Sequence, residues 1–184
     1  MKRLIIMIVG ALLIIPKGAD AYWWTGNKWP QGNPTTVTVT ITSSIPSAWA
    51  YPFGVGMAQW SNAGAKFRFV TSTNSGHNVA LKYLWFESAL ALTYIREGIG
   101  NRTTSDRDID FNSKYSWDVN GASNKYDAHA VFVHELGHWL TLGDLYNSVD
   151  TEKTMYGKAG LGETKKRTLH SDDIAGIRGI YGLK

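Results

Sequence analysis

His134 and His138 stand four residues apart with Glu135 between them, and Asp144 follows six residues later in the run HELGHWLTLGD. On an α-helix, residues four apart lie one turn on and about 40° round the axis, so both imidazoles aim at one point in space. Donors converging in this way suit zinc, which takes imidazole and carboxylate ligands. Glu135 is one step further round. Its carboxylate falls beside the ion, where it can take a proton from a water that the metal activates.

A catalytic zinc site uses three protein ligands and leaves a fourth position open. Asp144 is the nearest third donor. It is too far along to share the helical face, and it reaches the site only if the helix stops and the chain turns back. Gly143, immediately before it, is the residue type that takes the positive φ of such an ending. Glu152 and Glu163 are the alternatives from later in the chain. The bland reading is a chance HExxH with the histidines as core or surface residues, and it loses ground as the downstream pieces accumulate.

The run Thr154-Met155-Tyr156-Gly157, with its Met eleven residues after Asp144, adds a second feature. HExxHxxxxxD followed by a Met-containing turn resembles the metzincin zinc endopeptidases, and Asp as third ligand resembles their snapalysin-like members. The stretch Leu169 to Gly182, LHSDDIAGIRGIYG, resembles the matrixin C-terminal helix. The resemblance runs from about Asp106 to Gly182. It implies that His134, His138 and Asp144 hold the ion, that Glu135 is the general base, and that Met155 forms an apolar floor beneath the site. It also implies an α+β, metzincin-like zincin fold: a twisted, mainly parallel sheet with an antiparallel edge strand over the active-site helix, plus a C-terminal helix. One departure stands out. The family usually has Gly seven residues after the first His, where this chain has Thr141. A β-branched residue suits unusual backbone angles poorly, so the turn is expected to be displaced to Gly143 or built differently.

The elements that must position these residues are legible from periodicity. Thr35 to Thr42 alternates Val and Ile with Thr, the signature of a half-buried strand. Ser47 to Asn62 carries Trp49, Phe53, Met57 and Trp60 at helical spacing, with Pro52 and two glycines weakening its first half. Lys66 to Thr71, Val79 to Phe86, Ala89 to Ile95 and Asp106 to Asn112 read as further extended segments. Asp127 through Leu142 is the metal helix with Asp127 as N-cap, and Val131, Leu136, Trp139 and Leu140 face inward. In the C-terminal helix Ser171 or His170 is the cap, and Ile174, Ile177, Ile180 and Tyr181 form the buried stripe. Tyr22 to Pro34 reads as an irregular arm docked by its aromatics. By the resemblance, the edge strand Ala89 to Ile95, centred on Leu92, Thr93 and Tyr94, binds extended substrate, and such an edge holds peptide by β-augmentation. His77, His129 and His170 form no second ligand set and read as surface or capping residues. Lys165-Lys166-Arg167 reads as a solvated loop.

The first 21 residues read differently. Lys2 and Arg3 precede an apolar run from Leu4 to Ile15, and Ala19-Asp20-Ala21 fits a small-residue cleavage site, so residues 1–21 are expected to be a secretory signal peptide and 22–184 one catalytic domain. The run is shorter than the roughly 20 residues that span a bilayer, against a stable membrane anchor. Without Lys2, Arg3, Lys17 and Asp20 the formal charge falls from +4 to +2, too small a balance to argue for nucleic acid. The absence of Cys excludes disulfides as the stabiliser of an exported domain. The expectation is a secreted zinc endopeptidase with one catalytic zinc, calcium as a further candidate ion, protein or peptide as substrate, and a monomeric state. The rival is a catalytically silent metzincin-like module that holds partners on its edge strand. Glu135 argues against it, since a scaffold has no use for a base beside its ligands.

Overall fold

The computed structural model describes residues 22–85, 87–97 and 104–184. The expected signal peptide, residues 1–21, lies outside the described residues. Strand β1 (Thr35–Ile41) alternates as its sequence dictates, with Val37 and Val39 buried. A single 3-10 turn, Ser47–Trp49, leads into α1 (Ala50–Ser61). Pro52 does no harm there, because it sits in the first turn, where its missing N–H has no helical acceptor. Phe53, Met57 and Trp60 form the buried stripe of α1.

Strands β2 (Phe67–Thr71), β3 (Asn78–Lys82), β4 (Ala91–Glu97) and β5 (Thr104–Asn112) complete a five-stranded sheet in the order β2-β1-β3-β5-β4. The β1/β2, β1/β3 and β3/β5 pairings are parallel, while β4 runs antiparallel to β5 and forms one edge. This is the expected sheet, with the edge strand beginning two residues later than its sequence pattern suggests. A two-residue pairing, β6 (Trp117–Asp118) with β7 (Tyr126–Asp127), leads into α2 (Ala128–Trp139), and α3 (Ser171–Tyr181) follows near the end of the chain.

The core joins sheet to helices through aromatic rings. Phe53 of α1 stacks on Phe132 of α2 at 3.9 Å and lies 5.5 Å from Phe111 of β5. Trp60 Nε1 donates to the Val133 carbonyl at 2.9 Å, tying the two helices by a buried hydrogen bond. Gly56 permits their approach, because a Cβ there would lie 3.0 Å from Val133 Cγ2. His129 is buried against α1 and is not the surface or capping residue its sequence context suggests. His77 is half-buried, paired with Asp106 at 3.0 Å and edge-on to Trp29. His170 does cap α3, its Nδ1 accepting from the Asp172 N–H.

The basic run departs from expectation. Lys165–Arg167 forms a 3-10 turn packed on the start of α2. Lys166 is buried beside Glu163, and Arg167 makes a two-pronged ion pair with Asp127. Asp127 also accepts from Ala130 N at 2.8 Å as the expected N-cap. Desolvated carboxylates need such partners, and this one draws a residue 40 positions away out of solvent.

Two helical glycines make opposite predictions. Gly54 in α1 faces open space, so Gly54→Ala is expected to raise stability by ~0.5–1 kcal/mol through helix propensity. Gly137 in α2 faces the Met155 thioether and Trp60, and Gly137→Ala is expected to cost ~1–3 kcal/mol by overpacking. Urea unfolding of the two variants beside the parent checks both signs.

Candidate metal centre

The α2 helix ends in a Schellman motif. Thr141 N donates to the His138 carbonyl and Leu142 N to the Gly137 carbonyl, with Leu140 as C-cap and Thr141 left-handed at φ 75°. The expected displacement of the turn to Gly143 does not occur. Thr141 takes the left-handed position itself, fully buried, with its hydroxyl bonded to the Leu140 carbonyl. Gly143 is needed for another reason: the Trp23 ring lies over its Cα, 2.5 Å from where a Cβ would stand.

The carbonyls at a helix end have no partners within the helix, and here distant donors supply them. Arg107 of β5 donates to the His138 carbonyl and Trp29 Nε1 to the Trp139 carbonyl. Thr25 N donates to the Thr141 carbonyl, and Gly143 N returns a bond to Trp23. The N-terminal arm is therefore docked by its aromatics, as expected, and it splints the turn by backbone pairing as well.

Once reversed, the chain delivers Asp144 to the histidines. Its Oδ1 lies 3.1 Å from His134 Nε2 and 3.5 Å from His138 Nε2, and the two rings stand nearly perpendicular with centroids 4.8 Å apart. His134 Nδ1 is 2.8 Å from the Thr154 carbonyl and His138 Nδ1 2.8 Å from the Leu142 carbonyl. A carbonyl only accepts, so each Nδ1 carries the proton and each Nε2 presents its lone pair to the centre. Asp144 Oδ1 is buried without a hydrogen bond, while Tyr146 donates to Oδ2 at 3.2 Å. Lone pairs facing one another this closely need a cation between them, and two nitrogens with one carboxylate oxygen are a fitting donor set for a metal ion. His134, His138 and Asp144 are the sole group of three such residues among the described ones. Glu152 and Glu163, the alternative ligands, are instead held by Lys165 and Lys166.

The floor of the site is built by the segment that follows. Leu145 N donates to the Met155 carbonyl and Gly157 N to the Leu145 carbonyl, which pins the residue after Asp144 to the Met-containing turn. Met155 is buried beneath Gly137, where the absent side chain leaves room for its sulfur. Thr154 is the hub. Its carbonyl orients His134, its N–H donates to Asp173 Oδ2 at 3.0 Å, and its hydroxyl accepts from His170 N. Burial pushes the Asp173 carboxyl up, with the bonds from Thr154 opposing.

A cleft of about 730 Å³ runs between α2 and the β4 edge, bounded by the three donors, Glu135, Leu92 and Thr93. Glu135 is 6% exposed, and its Oε2 accepts from Thr93 Oγ1 at 2.5 Å. Tyr94 lies outside this lining. Sequence reasoning placed Glu135, His134, His138, Asp144 and Met155 in one neighbourhood, where the structure also has them. It missed Thr154 and Leu142, which act through backbone carbonyls and leave no side-chain signal. It also missed Tyr146, whose position two residues past Asp144 was a signal, and Arg107, hidden among the charged residues of β5.

Burial alone pushes the His138 imidazole down, but the adjacent Asp144 carboxylate and the charge of Glu135 outweigh it and raise it to about 9. Burial pushes the Asp144 carboxyl up, and the two histidines more than reverse this, holding it well below the usual carboxylate range. A metal ion held at this centre would compete with a proton for His138, so its affinity is expected to rise by about tenfold per pH unit toward pH 9 and then level off. Calorimetry of metal uptake in buffers of different ionisation enthalpy should detect release of about one proton at neutral pH.

Comparison with known proteins accords with this geometry. The family model described as Matrixin matches residues 28–182. Human (Homo sapiens) neutrophil collagenase is 37% identical over 87 residues, 47% of this chain and 16% of that protein. Metalloendoproteinase 1 of Glycine max is 41% identical over 61 residues, 33% of this chain and 19% of that protein. The matched segments thus span less than a fifth of either relative. With a family match across most of its length and a mainly parallel sheet edged by one antiparallel strand, the chain belongs to the matrixin family and has the metzincin fold.

Proposed function

We propose that this protein is a secreted, zinc-dependent endopeptidase. The observation that carries the reading is the convergence of His134 Nε2, His138 Nε2 and Asp144 Oδ1 beside the Glu135 carboxylate, in a cleft bordered by the free edge of the sheet. When bound by the three donors, zinc supplies a Lewis acid that polarises the scissile carbonyl and lowers the pKa of water from about 15.7 toward about 7. Glu135 takes a proton from the attacking water as its oxygen bonds to the carbonyl carbon. It then delivers that proton to the amide nitrogen as the C–N bond breaks. The backbone of β4 around Leu92, Thr93 and Tyr94 holds the peptide extended, and main-chain pairing of this kind is tolerant of side-chain sequence. Met155 and the backbone acceptors of Thr154 and Leu142 keep the imidazoles in place through the cycle.

Residues 1–21 direct export in this reading. No helix among the described residues is long and apolar enough to cross a membrane. A silent binding module remains the rival, and Glu135 distinguishes the two. It is nearly buried at the mouth of the donor set, a costly place for a carboxylate with no chemical task.

Incubation of residues 22–184 with an unfolded protein tests the reading. Cleavage is expected to stop on chelation, to return with zinc, and to fall by about 10²- to 10⁴-fold in Glu135→Ala. Undiminished cleavage by Glu135→Ala would refute the mechanism, and no cleavage at all would favour the binding module. For export, mass spectrometry of protein recovered outside the producing cells should find Tyr22 or a near neighbour as first residue; retention of Met1 there contradicts the signal-peptide assignment.

A further inference from the structure

Thr93 stands in the middle of β4, the edge strand, with its side chain turned toward α2. Its hydroxyl donates to Glu135 Oε2 at 2.5 Å, a bond between residues 42 positions apart. A carboxylate only accepts hydrogen bonds, so the direction is unambiguous, and donation to a charged acceptor is among the stronger types. Strand alternation sends the neighbours of Thr93 to the opposite face. The register of β4 that turns Thr93 toward Glu135 is set by the pairing of Thr93 with Ile109 in β5.

We propose that Thr93 is a positioning residue for the general base. A glutamate has three rotatable side-chain bonds, and helix α2 constrains only its root. Thr93 holds the far end: with Oε2 engaged, the carboxylate plane is set and Oε1 is the oxygen left to meet the proton of the attacking water. The strand that holds the peptide backbone is then also the strand that aims the base, so substrate and base are located by one rigid element. The catalytic half of this inference rests on the peptidase reading above; the conformational half does not.

Three variants test it: Thr93→Val, which keeps the shape and removes the donor, Thr93→Ser, which keeps the donor, and Thr93→Val combined with Glu135→Ala. Thr93→Val is expected to lower kcat about tenfold with KM within about twofold, at unchanged zinc content. Thr93→Ser should restore most of the loss. In the Glu135→Ala background Thr93→Val should change nothing further, because its partner is already gone. A second readout needs neither metal nor turnover. In the metal-free protein, side-chain carbon couplings of Glu135 measured by NMR should report one rotamer in the parent and in Thr93→Ser, and averaging in Thr93→Val. A loss expressed in KM, failure of Ser to rescue, additivity in the double variant, or a single Glu135 rotamer in Thr93→Val would each overturn the inference. Parental activity in Thr93→Val beside an inactive Glu135→Ala sinks this inference alone. An inactive parent sinks the peptidase reading and the catalytic half with it, and leaves the rotamer measurement to decide the rest.

Discussion

The reversal of the chain between Leu140 and Asp144 is the constraint on which the candidate metal centre depends. A straight continuation of α2 would carry Asp144 away from the imidazoles, since six residues past His138 is nearly two further turns. The left-handed residue at Thr141 stops the helix, frees the Leu142 carbonyl to receive His138 Nδ1, and sends the next residues back along the site. A β-branched residue in that conformation is strained by ~1–2 kcal/mol, so neighbouring structure must hold it. Arg107, Trp29 and the backbone of the N-terminal arm do so by occupying the carbonyls the helix leaves behind. Parts of the molecule remote from the ligands in sequence thus set the ligand geometry.

A second chain of contacts fixes the other imidazole. Asp173 in the first turn of α3 takes the Thr154 N–H, and the Thr154 carbonyl takes His134 Nδ1. A buried carboxylate in contact with the Met-containing turn is costly to desolvate, and its placement at a helix N-terminus offsets part of that cost. Gly137 belongs to the same assembly from above, because only a residue without a side chain lets Met155 lie against the helix that carries both histidines. The C-terminal helix is therefore more than a cover for the core: it orients His134 through two hydrogen bonds.

The sheet contributes through its edge. Placing the antiparallel β4 beside β5 leaves one side of β4 facing the cleft and directs Thr93 onto Glu135. The parallel strands behind it bury apolar side chains against α1 and α2 and give that edge a rigid backing. The placement of Glu135 and Thr93 follows from strand register and helix packing more than from any single residue.

Much of this was legible in the sequence because periodicity and motif spacing are local properties. The alternation of TTVTVTI, the stripe of Phe53, Met57 and Trp60, the Asp127 cap and the spacing of His134, His138 and Glu135 each depend on residues within a turn or a strand of one another. Asp144 stood out as the nearest further donor in the same run, and the family resemblance added Met155 and the substrate role of the edge strand as expectations. What the sequence could not decide were matters of distance between segments. Thr141 rather than Gly143 takes the turn because burial and distant donors outweigh local preference. Lys166 leaves solvent beside Glu163, Arg167 is drawn onto Asp127, and His129 is buried against α1. The backbone contacts of Thr154 and Leu142, and that of the Thr93 hydroxyl with Glu135, exist only once the chain has folded. Side-chain type encodes what a residue can donate or accept; which partner it meets is settled by packing.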